Sequence, residues 1–317
     1  MIADNKAIGK FFDLQKKNYE KCLHVGFLCE KKPIRAHSIQ NAKVLDLLQE
    51  NNHVLMPLPK LTPDKEPTIE FCLVGRNSAS TFTGLCSEHD AELFRLADNE
   101  PLDVKNEEQL GQFAYRAIMR ELHTCAEAAY RFQLMHIEAV KSGEAKQNEP
   151  TAPGLLAVAF WERGWRVIRY RGSYFDSPMA KGKKPVLGHH VIELGGQKPT
   201  VAASSLFSVE HDKAGDIVGP TLNVIPTDAT KTVAVFSYPR KQAKAIRKGL
   251  SALFDADENK QKSELSKVIL QRVENFVLAP AFYNSWSEEK RMRVSDVFEE
   301  CLMKPKELPD NVDISLF

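Results

Sequence analysis

The chain has 317 residues, 43% hydrophobic and 27% charged, which is enough apolar content for one large core or two to three smaller ones and excludes a disordered chain. Its net charge of +1 excludes recognition of a polyanion through the field of the whole molecule, so nucleic acid would have to meet a local patch. Six scattered cysteines, a charged N-terminal stretch and no apolar run near the roughly 18 residues of a membrane span argue against a disulfide scaffold, a signal peptide and a membrane protein; the expectation is cytoplasmic.

Ile8, Phe11, Phe12, Leu14 and Tyr19, at near-helical spacing, predict a short helix over 6–20 that leads into Cys22. Strand-like IRAHSI and HVLMPL flank NAKVLDLLQENN, a short helix, and a third run, TIEFCLVG, ends at Gly75. Residues 1–105 thus form a small mixed region. From Asn106 to about Lys141 only Gly111 interrupts a helical recurrence that includes Leu110, Phe113, Ala117, Ile118, Leu122 and Cys125, which predicts one long amphipathic helix. After the polar break SGEAKQNEPTAPG, the run LLAVAFWERGWRVIRYRGSYFDSPMA fits either a returning helix or a hairpin turning at ERG, and is read as helix, so that 106–184 is a helical region. Residues 185–317 begin with short β-rich runs, HHVIEL, TVAASSLFSV, TLNVIP and TVAVFSYP, at the spacing of a small sheet. They end in two helical patterns, SELSKVILQRVENFVL and EEKRMRVSDVFEECLM, joined by a PAFYNSW turn.

Zinc takes four thiolate or imidazole ligands, commonly two from a tight hairpin and two from the start of a helix. CLHVGFLC places Cys22 and Cys29 either side of a Gly-containing loop. In GLCSEHDAELF, Cys86 and His89 are three apart on one helical face. These four are read as one structural zinc site. Cys72, Cys125 and Cys301 sit in apolar patterns and read as small core residues.

The order of a cysteine pair, PIRAHSIQ, HVLMP and a helix opening with Cys86 and His89 resembles the zinc-containing HNH endonucleases. The resemblance covers about 70 residues, and the segments AHSIQ, ENNHVLMP and ASTFTGLCSEHDAELF are similar to bacterial proteins labelled HNH endonucleases, some associated with antiviral defence against phages. It implies a treble-clef zinc fold carrying a ββα-metal hairpin, with His37 as the water-activating base and Asp90 as a ligand of catalytic Mg²⁺ or Mn²⁺. Ala36 stands where that family usually has a further ligand, and Asn77 is only a loose match to its middle asparagine. The expected fold class is therefore α+β: a small zinc-bound treble-clef domain, long central helices, and a C-terminal mixed α/β region with a small sheet. The expected function is that of a metal-dependent nuclease, against the alternative of a non-catalytic zinc-stapled binding or sensor protein.

His37 also fits a role beside the zinc rather than in catalysis. Arg163, Arg166 and Arg169 lie among Trp161, Trp165 and Tyr170, a composition suited to nucleic-acid binding, or equally to a helix with solvated arginines. The C-terminal region is the expected docking surface for a protein partner. His211, Asp212 and Asp216 around Gly215 read as an Asp/Gly turn rather than a cation site.

Overall fold

The computed structural model describes residues 13–14, 17–60, 68–303, 308 and 313–317. The helix expected over 6–20 lies for the most part outside them. The rest is mixed α/β, built on an antiparallel seven-stranded sheet and long helices. No helix among the described residues is long and apolar enough to cross a membrane.

Strands β1 (Ile34–His37), β2 (His53–Lys60), β3 (Thr68–Gly75) and β4 (Thr81–Leu85) come first. Helix α1 (Ser87–Leu93) follows and continues past Phe94 as a further helical segment, Arg95–Asn99. Helix α2 (Glu107–Lys141) matches the long helix read from periodicity, and α3 (Ala152–Arg171) is the returning helix rather than the hairpin at ERG. The β-rich stretch contains β5 (Leu187–Leu194), β6 (Val201–Leu206), β7 (Glu210–His211), β8 (Ile217–Val218), β9 (Thr221–Pro226) and β10 (Thr232–Pro239). Helices α4 (Ala243–Gly249), α5 (Glu258–Arg272) and α6 (Glu288–Met303) close the chain, with β11 (Phe276–Leu278) between the last two.

The large sheet has the order β3-β2-β11-β6-β9-β10-β5. It differs from the expected small C-terminal sheet, because the β2–β3 pair from the first 105 residues joins it through β2, which pairs with β11 from the last third. The joint is β11, which lies inside a segment read as helix. The helical recurrence ends at Val273, and a buried run of three apolar residues is too short for periodicity to separate strand from helix.

Each sheet face is covered by a different set of helices. Leu222, Val224, Ala234 and Phe236 point to one face and pack with Ile246, Leu265, Ile269, Val294 and Phe298 of the C-terminal helices. Their neighbours Val233, Val235 and Ile225 point to the other face, where α2 contributes Leu110 and Phe113. The period-2 alternation of strands thus makes two cores from one sheet. Helix α2 is fixed at its start by Asn106, whose side chain accepts from the amides of Glu108 and Gln109.

Strands β1 and β4 form a separate antiparallel pair, with Ile34 opposite Leu85 and His37 opposite Thr81. The pair is tied to the large sheet by Asn275, whose side-chain amide donates to Ser38 Oγ at 3.0 Å and to the Ser204 carbonyl at 2.7 Å.

Candidate metal centre and the neighbouring histidine

The loop after Cys22 must reverse within seven residues to return Cys29 to the same place. It does so through Gly26 at φ +80° followed by Phe27 at φ +56°, two successive left-handed residues. The strained Phe27 is held by Arg171, whose guanidinium lies 5.1 Å from its ring centroid. The other two ligands come from the turn into α1. Cys86 caps that helix in an extended conformation, and His89 lies in its first turn.

The four ligand atoms lie within 4.8 Å of one another. Cys22 Sγ is 3.5 Å from His89 Nδ1, Cys86 Sγ is 3.4 Å from the same nitrogen, and Cys29 Sγ is 3.9 Å from Cys86 Sγ. Zn–S bonds of about 2.3 Å and a Zn–N bond of about 2.0 Å at tetrahedral angles require S···S edges near about 3.8 Å and S···N edges near about 3.5 Å. The observed edges match, so this cluster is suited to a metal ion with the ligand preference of zinc.

Burial opposes ionisation of Cys86, yet the backbone amides of His89 and Glu88 and the neighbouring thiols of Cys29 and Cys22 bring its pKa below the ordinary thiol value. In Cys22, burial outweighs such help and raises the pKa. The His24 imidazole stacks on His89 at 3.6 Å between centroids, supporting the ring behind its liganding nitrogen.

Arg171 anchors the centre to the helices. Its side chain is almost wholly buried, bonding the Leu23 carbonyl at 2.7 Å and Asp176 at 2.8 Å, while Tyr115 donates to the other Asp176 oxygen. Removing the cation from such a network strands the buried Leu23 carbonyl and leaves the half-buried Asp176 carboxylate with Tyr115 alone, so Arg171→Met is expected to cost about 3 kcal/mol in urea unfolding. The sequence places Arg171 only among the basic residues of an arginine-rich helix, and its anchoring role escapes that reading because burial alone distinguishes it from its solvated neighbours.

His37 lies at the far end of β1 from the cysteine–histidine cluster, opposite Thr81. Its Nε2 is 3.0 Å from the Arg76 carbonyl. The loop supplying that carbonyl is clamped by an Arg76–Asp46 ion pair, by the Arg76 amide on the Asn52 carbonyl, and by Asn41 donating to Asn77 Oδ1 at 2.8 Å. From Cys86 the helical chain runs back along the strand pair, since Gln40, just beyond His37, donates to Asp98 at 3.2 Å. Asp90 is half-buried on this return. Burial raises its pKa, opposed by the buried guanidinium of Arg116 and aided by Asp98. Burial lowers the pKa of His37, the bond to the Arg76 carbonyl opposes this, and the charges of Arg35 and Arg116 add to the lowering. Arg116 therefore acts on both residues; it bonds Asp98 at 2.6 Å and lies over the Phe94 ring.

A second buried histidine, His123 of α2, bonds Thr83 of β4 at 2.9 Å, and burial drives its pKa down to about 4. The folded chain resists protonating it while the unfolded chain takes the proton near pH 6.5. Its contribution is complete above about pH 6.5, falls as pH drops toward 4, and amounts to about 3 kcal/mol. Urea midpoints between pH 7 and 4 are expected to show this loss, and His123→Gln is expected to reduce it.

The three arginines expected to bind nucleic acid are paired within the chain. Arg163 bonds Glu121 at 2.6 Å, Arg166 bonds Glu162 at 2.5 Å, and Arg169 bonds Asp216 at 2.5 Å. Asp212 accepts from the amides of Ala214 and Asp216, as an Asp/Gly turn does. Comparison with family models, curated proteins and solved structures finds no match to the chain.

Proposed function

We propose that the chain is a metal-dependent nuclease in which His37 activates water for attack on a phosphodiester. The observation that carries this reading is the bond from His37 Nε2 to the Arg76 carbonyl. A carbonyl only accepts, so Nε2 holds the ring proton and Nδ1 keeps its lone pair. Burial and two arginines lower the pKa of this imidazole, so it is neutral and able to accept a proton at pH 7.

Asp90 supplies the carboxylate for a hard divalent cation. One carboxylate suits Mg²⁺ or Mn²⁺, which keep several waters and complete their shell with substrate phosphate. Such an ion, when bound, polarises the phosphate and stabilises the leaving oxygen. Zinc has a structural role here: four protein ligands leave it no open position, and a treble-clef-like arrangement holds the strand pair and the helix together.

The test is incubation of the zinc-loaded chain with plasmid DNA and with RNA in Mg²⁺ or Mn²⁺. Cleavage dependent on the added ion is expected, and intact DNA and RNA in both ions would overturn the proposal. A second reading, a zinc-stapled binding protein without catalysis, is favoured by one observation: Arg163, Arg166 and Arg169 are each ion-paired within the chain, so they do not form a row of unpaired cations along a nucleic-acid backbone.

A further inference from the structure

Away from the zinc ligands, His37 and Asp90, a cavity of about 350 Å³ lies between α3 and the chain running from Leu206 to Ile217. That size is within the range of small-ligand sites. One face of α3 lines it, bringing Arg163 and Arg166 to the same side, and Phe207, Val167 and Ile217 give it apolar walls.

Its polar groups are arranged by depth. Glu121 is inside, with a side chain only 4% exposed. One of its oxygens takes the bond from Arg163 at 2.6 Å, while the other has Arg120 Nη1 at 3.8 Å, beyond hydrogen-bond reach. Arg163 thus takes one oxygen of a buried carboxylate and leaves the other able to accept. Arg166 and His211 stand nearer solvent. Arg166 gives one nitrogen to Glu162, and among the described residues no hydrogen bond to its remaining donors or to the His211 ring is found.

We propose that this cavity binds a purine nucleoside monophosphate, with the base inside and the phosphate at the mouth. An inner acceptor calls for a ligand with N–H donors at one end, and Arg166 with His211 calls for an anion at the other. The apolar walls between them fit a flat ring. Guanine fits the inner end better than adenine, because its N1–H and N2–H both point donors toward the open oxygen, whereas adenine sets the lone pair of its N1 beside its amino group.

Isothermal titration of the zinc-loaded full chain with GMP, AMP, guanosine and inorganic phosphate tests this. GMP is expected to bind about tenfold or more tightly than AMP or guanosine, since each loses a charge-assisted contact, and phosphate alone is expected to give no measurable heat. Arg166→Ala, at a partly exposed position, is expected to weaken GMP about tenfold or more while leaving guanosine unchanged, with the far-ultraviolet spectrum unaltered. Equal affinity for AMP and GMP, or GMP affinity untouched by Arg166→Ala, or no GMP binding at millimolar concentration would each overturn the assignment.

Discussion

Cys86→Ser is expected to abolish zinc binding and to unfold the segment from Cys22 to Phe94. Cys86 is the hub of the cluster, with its sulfur near Cys29 and His89 and its amide on Cys22 Sγ at 3.3 Å. A serine hydroxyl is not deprotonated at pH 7 and makes a poor zinc ligand, so three ligands remain. Because no such site exists in the unfolded chain, metal binding free energy is folding free energy. The damage has a boundary. Cys22, Leu23, Cys86 and Phe94 pack with Tyr115, Ile118 and Leu122 of α2, whereas one face of the large sheet has its own core with the C-terminal helices. Zinc analysis by mass spectrometry is expected to fall from about one per chain to near none, and a lower-temperature transition is expected to separate from the main one. Cys72→Ser, at a half-buried thiol outside the cluster, is the control with unchanged zinc. Full zinc occupancy in Cys86→Ser would contradict the ligand assignment.

His37→Ala is expected to reduce cleavage by about 10²–10⁴-fold, the usual worth of a positioned acid or base. Zinc content should not change, since His37 is outside the tetrahedral set, and thermal stability should change little because, among the described residues, its ring bonds a single carbonyl. The pH dependence has a definite sign. A base works when unprotonated, so the wild-type rate falls with acid; because the pKa of His37 is lowered, that fall sets in below the ordinary histidine range near pH 6.5. Retained cleavage in His37→Ala would remove the histidine from the mechanism.

Elements with strong periodicity were legible in the sequence, and those defined by partners were not. The apolar recurrence of α2 and the β-branched runs of β9 and β10 are visible along the chain, because each declares a buried face at a fixed period, whereas the apolar run of α3 fits a helix or a hairpin alike. The three residues of β11 carry no such period, and the joining of β2 to β11 depends on a contact across more than two hundred residues. In the candidate site, the gathering of Cys22, Cys29, Cys86 and His89 was legible because thiols and an imidazole at short spacings form a chemical pattern. His37 was legible as a residue, but the bond that sets its tautomer comes from Arg76, thirty-nine positions away. The arginines show the opposite limit. Composition groups Arg163, Arg166, Arg169 and Arg171 together, while the fold gives each a different carboxylate and buries only the last beneath the zinc loop.

Zinc K-edge X-ray absorption on protein purified without chelator tests the centre most directly. Three sulfurs near about 2.3 Å and one nitrogen near about 2.0 Å are expected. A chain that carries no zinc, or a zinc shell with fewer than three sulfurs, would contradict the site built from Cys22, Cys29, Cys86 and His89.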